Sequence, residues 1–114
     1  MRDKKVANFI NKKRENRKYL PGYKLDKRLI ASSDLSAINS ANLVLFCVPS
    51  DAFREVFLKS RDFISSEAHL VSATKGVEEE GFSLMSDILE THSQEGQNIG
   101  VISGPNLAKE ISLG

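Results

Sequence analysis

Leu43-Val44-Leu45-Phe46-Cys47-Val48-Pro49-Ser50 decides the architecture. Residues 43–48 form a continuous apolar run of strand length that stops at a proline, the pattern of a parallel strand covered by helices on both faces. Ser50 is placed to cap a helix reaching about Phe63, with Phe53, Val56, Phe57 and Phe63 inward. The pattern then repeats. Residues 70–73 read as a second strand ending at Thr74-Lys75-Gly76, and the acidic Glu78-Glu79-Glu80-Gly81 leads to a helix over about 82–91. Leu84, Met85, Ile88 and Leu89 share its apolar side. Residues 99–102 form a third strand ending at Ser103-Gly104-Pro105, and residues 106–112 open another helix. Strands and helices alternating at this spacing specify a parallel α/β sheet with right-handed crossovers.

Upstream of this core, residues 4–16 read as a helix capped by Asp3, with Val6, Ala7, Phe9 and Ile10 on one narrow face and a basic outer side. Tyr19-Leu20-Pro21-Gly22 breaks it, because the residue before proline avoids the helical region and Pro-Gly suits a turn. Residues 29–31 suggest a short strand, and Ser33-Asp34 caps a short helix over 35–40. The net charge of +1 hides an asymmetry: residues 1–30 hold 11 basic and 3 acidic side chains, and residues 31–114 hold 5 and 12. Such a basic start raises nucleic acid or an acidic surface as a partner.

A chain of 114 residues fits one domain and excludes a catalytic domain plus a separate substrate domain. With 40% hydrophobic and 27% charged residues it is neither disordered nor fibrous. The single cysteine, Cys47, reads as a buried hydrophobe and excludes an internal disulfide. No apolar stretch approaches the roughly 20 residues of a membrane span, and no apolar core follows the basic N-terminus as in a secretory signal. An intracellular location is therefore expected.

In an open α/β sheet, ligands bind beyond the carboxyl ends of the strands. Three segments converge there: Val48-Pro49-Ser50, Ser72-Ala73-Thr74-Lys75-Gly76 and Ser103-Gly104-Pro105-Asn106. Small residues let a ligand approach the backbone, and the helix starts that follow offer free N–H groups to anions. Lys75 is the basic side chain among these ends and the natural donor to a substrate oxygen or phosphate. No Gly-x-Gly-x-x-Gly or Gly-x-x-x-x-Gly-Lys-Ser/Thr loop occurs, and no Cys/His cluster has metal-ligand spacing. His69 and His92 read as surface residues and Glu78-Glu79-Glu80 as a solvated run.

Taken together and in order, Ile10-Asn11 with Arg14 and Asn16, Tyr19-Leu20-Pro21-Gly22, Ser33-Asp34-Leu35, Val48-Pro49-Ser50, Ser72-Ala73-Thr74-Lys75-Gly76-Val77-Glu78 and Ser103-Gly104-Pro105-Asn106-Leu107-Ala108-Lys109-Glu110 closely resemble the cofactor-binding domain of bacterial NAD(P)-dependent glycerol-3-phosphate dehydrogenases. The resemblance runs over essentially the whole chain. It implies a Rossmann-type parallel sheet with flanking helices, and hydride transfer between NADPH or NADH and dihydroxyacetone phosphate, giving sn-glycerol 3-phosphate for phospholipid synthesis. A cytoplasmic homodimer, with no nucleic-acid partner, no membrane span and no metal, is implied for the full-length enzyme.

Residue by residue, the resemblance assigns Arg2, Tyr19, Pro49, Lys75 and Ala108 to cofactor binding. Arg2 matches a position on the adenosine side, where a guanidinium suits a ribose 2′-phosphate. Lys75, Gly104 and Asn106 are assigned to the substrate, with Lys75 at its junction with the nicotinamide; family members often carry Ser or Thr at the position of Asn106. The family also has a first strand, a glycine-rich loop and a C-terminal helical domain carrying the acid/base lysine. None of these is found in the chain, so it reads as an incomplete domain spanning 1–114, with no catalytic residue of its own and inactive alone. Two alternatives compete. One is another dehydrogenase of the superfamily, of ketopantoate reductase or 6-phosphogluconate type, against which Ser-Ala-Thr-Lys-Gly argues. The other is a non-catalytic basic binding module using Lys4, Lys5, Lys12, Lys13, Arg14, Arg17 and Lys18 with Tyr19 and Tyr23.

Overall fold

The computed structural model describes residues 3–79, 81–105, 107, 110 and 111. The chain divides into two compact units, Met1–Leu35 with Pro105–Gly114, and Ser36–Gly104.

The second unit carries the sheet. Strands β1 (Leu43–Phe46), β2 (His69–Ser72) and β3 (Ile99–Val101) are all parallel in the order β1-β2-β3, with Val44 opposite Leu70 and Leu70 opposite Ile99. Helix α2 (Ser50–Ser60) connects β1 to β2 and α3 (Met85–His92) connects β2 to β3. Phe53 and Phe57 of α2 lie one turn apart, as do Met85, Ile88 and Leu89 of α3, so each helix presents one apolar stripe. Both stripes join Val44, Phe46 and Leu70 in one core cluster, which places α2 and α3 on the same face of the sheet. The Phe46 ring sits 5.6 Å from that of Phe53 and 5.5 Å, edge-on, from that of Phe57.

This one-sided packing corrects the expectation drawn from residues 43–48. Burial alternates along β1, with Val44 and Phe46 inside but Leu43 and Leu45 55% and 46% exposed. Successive strand side chains point to opposite faces, so the even positions meet the helices and the odd ones do not. Cys47 follows the odd set and is exposed, not buried.

Helix boundaries also shift. Pro49, not Ser50, stands at the N-cap of α2, extended at φ −56° and ψ 147°, with no side-chain cap. The α-helix ends at Ser60 and a single 3₁₀ turn covers Arg61–Phe63, which leaves Phe63 41% exposed while Ile64 turns into the core. Helix α3 starts at Met85 instead of near Phe82, because Gly81 and Phe82 both take positive φ, 98° and 53°, which a right-handed helix cannot accommodate. The Asp87 carboxylate accepts the Leu84 N–H at 3.1 Å and closes the helix start.

In the first unit, α1 (Lys4–Lys13) is capped as expected by Asp3, which accepts from the Lys5 N–H at 2.7 Å and the Val6 N–H at 3.3 Å. The helix stops three residues short of Asn16, where Arg14 adopts a left-handed conformation at φ 55° and returns its N–H to the Ile10 carbonyl. Ala7 and Ile10 are its buried residues. The strand expected over 29–31 does not form. The backbone of Ala31 exchanges two 2.8 Å hydrogen bonds with the Asn11 side-chain amide, and the Leu29 carbonyl accepts from Arg14. Side chains thus supply the partners that a neighbouring strand would. The helix expected over 35–40 is a 3₁₀ turn, Leu35–Ile38. That over 106–112 falls largely outside the described residues, with Glu110 and Ile111 helical.

Candidate functional site

Of the residues singled out from sequence, Pro49, Lys75 and Gly104 follow the carboxyl ends of β1, β2 and β3 and so share one end of the sheet. Tyr19 belongs to the first unit, on the turn closed by the Asn16–Leu20 bridge, and is 70% exposed with the Lys18 ammonium 5.0 Å from its ring centre. Arg2, Asn106 and Ala108 lie outside the described residues.

The strand ends are stitched together by backbone and hydroxyl groups. The Ala73 N–H donates to the Phe46 carbonyl at 2.9 Å, and the Ile102 N–H donates to that of Ser72 at 2.8 Å. Thr74 Oγ1 donates to the Val48 carbonyl at 2.7 Å and accepts the Val48 N–H at 3.3 Å. One threonine hydroxyl therefore ties the exit of β2 to the exit of β1. Gly76 follows at φ 102°, a conformation that L side chains rarely adopt, and a Cβ there would stand 3.6 Å from Ser50 Oγ. The loop after β2 thus runs against the first residue of α2.

Between Thr74 and Gly76, the Lys75 side chain is exposed and has no hydrogen-bond or ion-pair partner among the described residues. A strongly hydrated ammonium left unpaired among the described residues can meet an anionic or partially negative oxygen. Small residues at this end leave the backbone open to a ligand, and Lys75 adds one exposed positive charge. No group of three or more His, Cys, Asp or Glu among the described residues could hold a metal ion.

A further set of side chains stands behind this loop. Arg54, on α2, forks onto Glu78, with Nε 2.6 Å from Oε1 and Nη2 2.6 Å from Oε2. Its remaining Nη1 lies 2.8 Å from His92 Nε2 at the end of α3. A guanidinium only donates, so that imidazole nitrogen is the acceptor. The Glu78 side chain retains only 13% of its exposure, and the Arg54 fork holds its carboxyl below the usual carboxylate range. Glu78 is therefore paired and half-buried instead of belonging to a solvated run, and His92 is likewise engaged. The loop itself is closed by an antiparallel bridge between Val77 and Leu84 and by the Glu78 N–H donating to the Ser83 carbonyl at 2.9 Å. Nothing local in Glu78-Glu79-Glu80 distinguishes the first glutamate, since its partner is 24 residues away.

A depressed pKa in the folded state means that Glu78 contributes stability above its unfolded pKa, near pH ~4.3, and loses it as pH falls through the lower folded value. The stability difference between the unsubstituted chain and Glu78→Gln should thus be largest at about pH 6 and shrink toward about pH 3. Urea unfolding at both pH values checks this; a pH-independent difference would contradict it.

Parallel strands, same-face crossover helices and a convergence of small residues at the carboxyl ends define the class: a Rossmann-type nucleotide-binding sheet. The chain matches the NAD-dependent glycerol-3-phosphate dehydrogenase N-terminus family over residues 1–114 and belongs to that family. It is 50% identical over 114 residues to a glycerol-3-phosphate dehydrogenase [NAD(P)+] of Teredinibacter turnerae, covering 97% of this chain and 33% of that protein. It is 44% identical over 112 residues to the enzyme of that name from Alcanivorax borkumensis, covering 97% of this chain and 32% of the relative. The chain spans about a third of the length of these curated relatives. Among solved structures, the glycerol-3-phosphate dehydrogenase of Coxiella burnetii superposes with a TM-score of 0.85 at 30% identity, over 98% of this chain and 34% of that one. No described helix is long and apolar enough to cross a membrane.

Proposed function

We propose that these residues form part of the cofactor-binding domain of a glycerol-3-phosphate dehydrogenase that interconverts dihydroxyacetone phosphate and sn-glycerol 3-phosphate with NADPH or NADH. The observation that carries this reading is an exposed Lys75, without a partner among the described residues, at the exit of the central strand, in a chain matched to that family over its whole length. In this reading the Lys75 ammonium donates to the substrate carbonyl oxygen and stabilises the charge that grows there in the transition state. Pro49 and Gly76 keep side chains out of the groove that the nicotinamide would occupy, and Gly104 does the same for the substrate. When bound, the dinucleotide supplies the hydride. Arg2 is assigned to the adenosine side, Tyr19 and Ala108 to further cofactor contacts and Asn106 to the substrate. The full-length enzyme would act in the cytoplasm as a homodimer and feed phospholipid synthesis.

No Gly-x-Gly-x-x-Gly turn to seat a pyrophosphate occurs among the 114 residues, so the chain alone is expected to be inactive. The experiment replaces the matching segment of the Alcanivorax borkumensis relative with residues 1–114 and follows NADPH oxidation by dihydroxyacetone phosphate. The chimera should turn over and the isolated chain should not. A folded but inactive chimera would contradict the assigned reaction, and turnover by the chain alone would contradict its inactivity.

A further inference from the structure

The pair Lys75-Gly76 is suspended between two clamps. Upstream, Thr74 Oγ1 is held on the Val48 carbonyl at 2.7 Å; downstream, Glu78 is gripped at two points by Arg54 at 2.6 Å each. Both clamps reach back to the segment that leaves β1: Val48 precedes α2 and Arg54 lies four residues beyond Ser50. Gly76 itself lies against Ser50. The left-handed φ of Gly76 is a conformation a glycine also leaves readily, so the backbone at Lys75 needs restraint from both sides to keep a single direction. The guanidinium supplies that restraint: a two-pronged charge-assisted contact fixes angle as well as distance, and His92 Nε2 accepts from the remaining Nη1 at 2.8 Å, adding a third anchor on Arg54.

We propose that Arg54 is a positioning residue that acts through Glu78 to hold Lys75 at the carboxyl end of β2. This rests on the reading of Lys75 as the substrate-facing cation. Arg54 itself touches neither substrate nor cofactor. Its effect is transmitted along the three residues from Glu78 back to Lys75, while the sheet itself is held separately by the core beneath it.

Amide hydrogen exchange on the 114-residue chain separates this role from general stability. The reporter is the Glu78 N–H, bonded to Ser83, and the control is the Leu70 N–H, bonded to the Asn98 carbonyl at 2.8 Å inside the sheet. In Arg54→Ala, exchange at Glu78 should accelerate about tenfold or more while that at Leu70 changes little. Arg54→Lys, which keeps the charge but loses the fork, should fall between the two, and Glu78→Gln should resemble Arg54→Ala. Unchanged protection at Glu78 in Arg54→Ala, or equal acceleration at Leu70 and Glu78 in both Arg54→Ala and Glu78→Gln, would overturn the proposal. In a second arm, dihydroxyacetone phosphate is titrated while the Lys75 side-chain resonance is followed. A response in the unsubstituted chain that weakens about tenfold in Arg54→Ala supports positioning of the site. The absence of any response in the unsubstituted chain counts against the functional reading of Lys75, and the exchange arm still decides the clamp.

Discussion

Phe57→Ala is expected to cost about 3–5 kcal/mol of folding stability, the range for deleting a fully buried aromatic ring. Phe57 is 1% exposed and its ring meets Phe46 edge-on at 5.5 Å, so its removal opens a cavity at the point where α2 meets β1. The neighbours cannot easily fill that space. Phe46 is fixed on a paired strand, and Phe53 is already fully buried against it. Since domains of this size hold only about 5–15 kcal/mol in total, the substitution should leave much of the population unfolded under mild denaturant. Urea unfolding followed by far-UV circular dichroism measures the loss. Phe63→Ala is the control, because Phe63 is 41% exposed and should change stability by no more than about 0.5 kcal/mol. Equal losses at the two positions would mean that the one-sided core described above is misassigned.

Lys75→Ala should lower kcat in the chimeric enzyme by about 10²–10³-fold, the loss found when one donor to a developing oxyanion is removed. The argument rests on the isolation of this cation. Among the described residues nothing neutralises it, so its charge is available to a ligand instead of being spent on a neighbour. Because the side chain is exposed and outside the core, its loss should leave folding nearly untouched, and circular dichroism of the variant should match the parent. Lys75→Arg should recover only part of the activity, since a planar guanidinium presents its donors at a different reach and angle. A kcat within threefold of the parent in Lys75→Ala would remove Lys75 from the reaction.

Much of the fold was legible in local sequence. The run 43–48, the small residues at three strand ends and the apolar stripes Phe53/Phe57 and Met85/Ile88/Leu89 each signal their element through near neighbours, and these three strands formed within one or two residues of the expected bounds. The cap Asp3 was equally readable, because an N-cap bond spans only two or three residues. The misreadings have distinct causes. A proline at the end of β1 took the cap position from Ser50. Positive φ at Gly81 and Phe82 delayed α3. The apolar residues 29–31 met a side-chain amide instead of a strand.

By itself the sequence determined the order of the three sheet strands and the helices between them, the parallel sheet and the location of Lys75 at a strand end, because these follow from periodicity and from signals read within a few residues, and it determined the family through motifs combined along the whole chain. Tertiary structure alone decided that only one face of the sheet is buried by α2 and α3, so that Leu43, Leu45 and Cys47 are exposed. It also decided that Glu78 is gripped by Arg54 behind the Lys75 loop. The reason is the same in both cases. A strand's apolar run does not say what covers each face, and a charged residue does not name its partner: the first is set by how whole helices pack on the sheet, the second by groups 24 and 38 residues away in the chain.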